Sequence, residues 1–144
     1  MWIFFALSAA ALWGLTYAIN EQVYKRISVV TSLGVTGMIA SIALLLIAYF
    51  GGFLKQDVAG ILNSKSLIYL VIGESIVLTL AELAIGFSIV QTNATLAGLI
   101  EISYPIFIIL FAYLIFNENH LSPGLIVGGI MIFLGVVVIQ VFRA

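Results

Sequence analysis

Long apolar runs, each close to the length of a membrane crossing, dominate the chain, and the polar positions gather between them. A helix crossing about 30 Å of hydrocarbon takes roughly 20 such residues, and the runs at 2–20, 28–50, 67–90, 93–116 and 121–142 fit that length. The apolar residues are consecutive rather than alternating, which excludes the period-two pattern of membrane β-strands. The pattern predicts an all-α polytopic membrane protein: five transmembrane helices in a single membrane domain over residues 1–144, with no extramembrane domain. The segment 51–66, GGFLKQDVAGILNSKS, reads as the one long connection.

End signals agree with these limits. Gly51-Gly52 suits a helix stop, and Ser122-Pro123 reads as an N-cap followed by the first helical residue. Pro105 falls inside the fourth span, where it removes one backbone hydrogen bond and bends the helix. Such breaks are tolerated where neighbouring groups satisfy the freed carbonyl. The first apolar run is longer than a signal-peptide core and follows no Lys or Arg, so it is expected to remain as a span.

Composition removes whole classes of function. Of 144 residues 64% are hydrophobic and 8% charged, against roughly 45–50% and about 25% in soluble domains. A water-soluble globule and a disordered chain are both excluded. A net charge of −1 with no basic run argues against nucleic acid as a partner. The chain has no cysteine and a single histidine, His120, so it offers no metal-ligand cluster. Neither a Ser/His/Asp order nor a phosphate loop is present. The sequence implies no enzyme and no cofactor.

Basic residues divide almost evenly between the two membrane faces. One side holds the N-terminal amine, Lys55 and Lys65; the other holds Lys25, Arg26 and Arg143. The positive-inside rule needs an imbalance. Either the first helix or a partner sets the orientation, or copies insert both ways and pair as an antiparallel homodimer.

The acids within the spans carry the chemistry. Glu74 and Glu82 fall in the third span and Glu101 in the fourth, with no Lys, Arg or His inside any span to pair with them. An ionised carboxylate near the bilayer centre costs about 2.5–3.5 kcal/mol on insertion scales. Such residues are candidate proton carriers, or counter-ions for a cationic substrate. Glu74, Ser75, Thr79, Glu82 and Gly86 share an arc of about 140° on a helix, a polar face expected to point into the bundle. On the fourth span Ala94, Ala97, Gly98, Glu101, Pro105 and Ala112 form a stripe. Glu82 and Glu101 flank the Gln91-Thr92 turn at similar distances, so a tight hairpin would set them at similar depth. If their faces meet, they titrate jointly. The competing reading has each acid neutral and bonded to a backbone carbonyl or a nearby hydroxyl.

Trp13, Tyr17 and Asn20 recur at helical spacing on the first span. They make either an aromatic wall for a cation or ordinary packing and interfacial anchoring. In the fifth span Gly124 and Gly128 have the small-xxx-small spacing, and Gly135 follows one heptad later. That face is expected to dock another helix closely, from this chain or from a second one.

The last two spans, TLAGLIEISYPIFIILFAYLIFNENHLSPGLIVGGIMIFLGVVVI, carry a family resemblance. Pro105 in the fourth helix, Glu118 closing it, and Gly128, Gly129 and Gly135 in the fifth are similar to EamA-type units of the drug/metabolite transporter superfamily. Trp13-Gly14 is similar to that family's first helix. The resemblance covers nearly the whole chain and implies half of a ten-helix inverted-repeat transporter, with two chains supplying the halves. The Gly128/Gly135 heptad is also similar to the dimer-forming last helix of small multidrug resistance exporters. Those exporters place a glutamate in their first helix, where this chain has none, so that role does not carry over.

Together these features lead to a secondary transporter in the cell (inner) membrane: a proton-coupled exporter, by antiport, of a small metabolite or organic cation. It would work as a homodimer among membrane lipids. Glu101 and Glu82 would carry the proton or balance the substrate, Glu74 would add to the polar face, and Trp13, Tyr17 and Asn20 would line the site. A non-transporting subunit of a larger complex and a flippase for a lipid-linked substrate are the alternatives.

Overall fold

The structure, a computed structural model, describes residues 1–119 and 121–142; His120 and Arg143 lie outside the described residues. The described residues form α1 (Trp2–Tyr24), α2 (Val29–Phe50), α3 (Leu54–Asn63), α4 (Lys65–Gln91), α5 (Ala94–Glu101), α6 (Tyr104–Phe116) and α7 (Pro123–Val141). No strand occurs among them. Five stretches are long and apolar enough to cross a membrane: α1, α2, α4, the combined α5–α6 stretch and α7.

Short polar side chains start these helices by accepting backbone N–H groups that the first turn leaves unpaired. Ser28 accepts from Thr31 N–H at 3.2 Å and Ser64 from Leu67 N–H at 3.3 Å. Asn93 accepts from Leu96 N–H at 2.9 Å. Ser122 accepts from Leu125 N–H at 3.3 Å, with Pro123 in the first turn. The ends are equally local. Gly52 takes a φ of +79°, and Phe53 N–H then reaches back to Ala48 C=O at 3.0 Å. The Phe53 ring lies 2.6 Å from where a Cβ on Gly51 would sit, so both glycines are needed for this reversal. At the end of α6, Asn117 adopts φ 57°. Glu118 N–H there donates to Ala112 C=O at 3.0 Å, the long return bond of a left-handed helix cap.

The segment 51–66 is more than a connection. It contains α3, whose Leu54, Val58, Ile61 and Leu62 recur on one side while Lys55, Gln56, Asp57 and Asn63 occupy the rest. Leu54 and Ile61 are half-buried, and α3 touches both α2 and α4. A ten-residue helix is too short to hold by propensity alone, so that packing accounts for it.

The chain divides into two compact units, and the division runs through α1. One unit joins Met1–Ala18 to the chain from Thr92 onward; the other is Ile19–Gln91. In the second unit the packed centre is where the start of α2 meets the end of α4: Val29, Ser32, Gly86 and Ile89 are buried. Val29 Cγ1 occupies the space that a side chain on Gly86 would need. In the first unit Ala94 and Ala97, one turn apart on α5, are the buried pair. Small residues at such points let backbones approach, which is how helices gain packing energy in lipid.

Candidate functional site

The span containing Glu101 is two helices rather than one bent one. Proline at 105 has no N–H for the carbonyl four residues earlier, and that carbonyl belongs to Glu101. The helix lets go at this residue. Ser103 N–H shifts to Ile100 C=O at 3.2 Å, and Ile106 N–H to Ser103 C=O at 3.1 Å, both tighter than α-helical spacing. The Ser103 hydroxyl adds a bond to the same Ile100 oxygen at 2.9 Å. α5 thus ends on Glu101 and α6 restarts at Tyr104. The carbonyl end of a helix attracts cations, and membrane transporters use such interrupted helices to hold ions.

The Glu101 side chain has a specific partner in the same unit. Tyr17 of α1 donates its hydroxyl to Glu101 Oε2. Gly98, nearly one turn before Glu101, makes room for the ring: a Cβ there would stand 3.3 Å from Tyr17 Cδ2. Trp13, one turn before Tyr17, lies with its ring centroid 5.8 Å from the tyrosine ring at 57°. Tyr17 and Glu101 are half-buried, while Trp13 is 49% exposed. The arrangement sets a carboxylate, a phenol and an aromatic face side by side at a break in a membrane-spanning helix. A carboxylate beside aromatic faces can take up a proton or hold an organic cation.

Asn20 is half-buried and falls in the other unit. Glu82 is half-buried on α4, one turn before Gly86. Its charge acts on the phenol of Tyr24, the last residue of α1. Tyr24 is a residue that sequence reasoning missed, although the spacing Trp13, Tyr17, Asn20 and Tyr24 continues one helical face.

Glu74 is exposed, as are Ser75 and Thr79, so the polar face of α4 turns inward only around Glu82 and Gly86. Ser75 donates to Val71 C=O and Thr79 to Ser75 C=O, each at 2.8 Å. Their own helix satisfies these hydroxyls, so they need no facing helix. Along α7, nothing approaches the Cβ positions of Gly124, Gly128 or Gly135 within 4 Å, whereas Gly129 has Ile106 Cγ1 at 3.7 Å. No group of His, Asp or Glu suited to a metal ion occurs among the described residues.

Five membrane-length stretches, one broken at an acidic residue, define a polytopic helical membrane protein. The profile of the EamA-like transporter family matches residues 1–141, and the chain belongs to that family. No curated protein and no solved structure gives a significant match.

Proposed function

We propose that this chain is a secondary transporter that exchanges protons for a small metabolite or organic cation, exporting it across the cell's inner membrane. The observation that carries this reading is the Tyr17–Glu101 hydrogen bond at the break between α5 and α6, with Trp13 beside it. Glu101 alternates between binding the proton and balancing the charge of the substrate. A cationic substrate displaces the Tyr17 hydroxyl from the carboxylate and lies against the Trp13 and Tyr17 rings. Exclusive occupancy by proton or substrate gives antiport.

The working form is a homodimer, each copy supplying one five-helix half. The glycine face of α7 supports this: nothing lies within 4 Å of a Cβ placed on Gly128 or Gly135, and their spacing suits close approach of a second helix. Balanced basic residues on the two membrane faces support an antiparallel pair. A reporter fused to the C-terminus tests that arrangement, since signal from both sides of the membrane is expected and signal from one side only rules it out.

The test of the central claim is Glu101→Gln in proteoliposomes. Gln keeps the size and the acceptor for Tyr17 but cannot exchange a proton. Proton-driven flux of the transported compound, found by screening metabolites and cationic dyes, should vanish while cross-linked dimer stays at the unmodified level. Flux equal to that of the unmodified protein would remove Glu101 from the mechanism.

A further inference from the structure

We infer that Glu82 and Tyr24 form a second proton-exchange site, opening to the membrane face that carries Lys25 and Arg26. The inference rests on reading the chain as proton-coupled, and it adds a residue, Tyr24, and a side of entry.

Position makes the first argument. Tyr24 ends α1, and residues 25–28, which follow it directly, are all exposed. Tyr24 itself is half-buried, so the ring stands between that exposed turn and the interior of its unit. The hydroxyl lies 3.4 Å, and Cε2 3.6 Å, from where a Cβ on Gly86 would be. The phenol is therefore laid over a glycine. Glu82 is one turn back from that glycine on the same side of α4, and its charge acts on the phenol. A side chain at 86 would crowd the tyrosine; its absence leaves the phenol room one helical turn from Glu82.

Surroundings make the second argument. Val29 and Ser32 from α2 are buried and uncharged. On α1 the charged groups nearby are Glu21 and Lys25, joined to each other at 3.7 Å, with Arg26 just beyond. The basic residues Lys25 and Arg26 are exposed, and the acid whose charge acts on Tyr24 is Glu82. A proton arriving from water binds the Tyr24 oxygen as the phenol passes its own proton to a Glu82 oxygen. One O–H bond forms on the carboxylate, the phenol is regenerated, and the site goes from one negative charge to none.

The same architecture appears around Glu101, where Tyr17 lies over Gly98 and donates to the acid. Each unit thus contains a tyrosine from α1, a glycine beneath its ring and a glutamate within a turn of that glycine.

The test uses the full chain in lipid bilayers and infrared difference spectra across a pH step, which report carboxyl protonation without any transported ligand. Glu82→Gln should delete one carboxylic C=O band that Glu101→Gln retains. Tyr24→Phe keeps the ring over Gly86, so folding is preserved. The Glu82 band should survive in that variant but respond to a pH jump at least tenfold more slowly. An unchanged spectrum for Glu82→Gln, or an unslowed response for Tyr24→Phe, overturns the inference. Normal flux in Glu101→Gln with the Glu82 band intact would instead sink the Glu101 reading and leave this one standing.

Discussion

On α4, the room that a side chain at Gly86 would fill is taken by Val29 and Tyr24, whereas along α7 nothing comes within 4 Å of Gly124, Gly128 or Gly135. Both helices read alike in sequence, as apolar runs interrupted by glycine. Their difference shows that a glycine in a membrane helix can be covered or bare, and that the residue type alone does not say which. Packing in lipid gains little from apolar area, because acyl tails are as oily as leucine; close backbone approach and polar contacts supply it instead. A glycine already covered contributes to the fold of the monomer. Under the dimer proposal, the bare glycines of α7 are where a second molecule docks.

Substitution at these glycines separates the two cases. The largest effect is expected at Gly86. Even Gly86→Ala puts a methyl where the buried Val29 already sits, and overpacking of this kind costs about 1–3 kcal/mol; Gly86→Val should cost more. Thermal unfolding in detergent should show a clearly lowered midpoint, and an unmoved midpoint would mean that the α2–α4 junction does not stabilise the fold. Next comes the pair Gly128→Leu with Gly135→Leu. The unfolding midpoint should hold within a degree or two, while the dimer fraction at low protein-to-lipid ratio falls at least tenfold. Since the chain has no cysteine, single introduced cysteines make that cross-linking measurement clean. Retained dimer would move the interface off α7. Smallest is Gly98→Ala, whose new Cβ stands 3.3 Å from Tyr17 Cδ2. The ring needs to give by only a few tenths of an ångström, and the helix gains up to about 1 kcal/mol from replacing glycine. Stability should stay level while flux drops a few-fold, because the Tyr17–Glu101 contact loosens. Equal loss of both would make Tyr17 a packing residue.

The five membrane stretches were legible because a run of about twenty apolar residues is the length that a bilayer crossing demands. Ser122-Pro123 and Gly51-Gly52 were legible because their chemistry is local. The helix α3 was not: ten residues with a lysine and an aspartate look like a solvated link, and only contact with α2 and α4 shows what Leu54 and Ile61 do. The proline at 105 announced a bend, yet the extent of the break depends on Ile102 and Ser103 adopting tighter turns, for which neither residue type is a signal. Candidate acids were visible as charges out of place. Their partners were not, since which tyrosine meets which glutamate follows from the rotation of α1, and rotation has no mark in a helix that is apolar nearly all round. The facing of Glu74 was not legible for a related reason: Ser75 and Thr79 signal polarity but satisfy it within their own backbone.

The interruption at Ile102 and Ser103 has a mechanical consequence. At 1.5 Å per residue the eight residues of α5 extend about 12 Å and the thirteen of α6 about 20 Å. Neither rod alone reaches across a hydrocarbon film of about 30 Å. The other crossing helices are continuous and accommodate a thicker or thinner film by tilting as wholes. This one has a joint, and the joint begins at the residue that accepts the Tyr17 hydroxyl. A change of acyl-chain length is therefore expected to be taken up there first, beside Glu101.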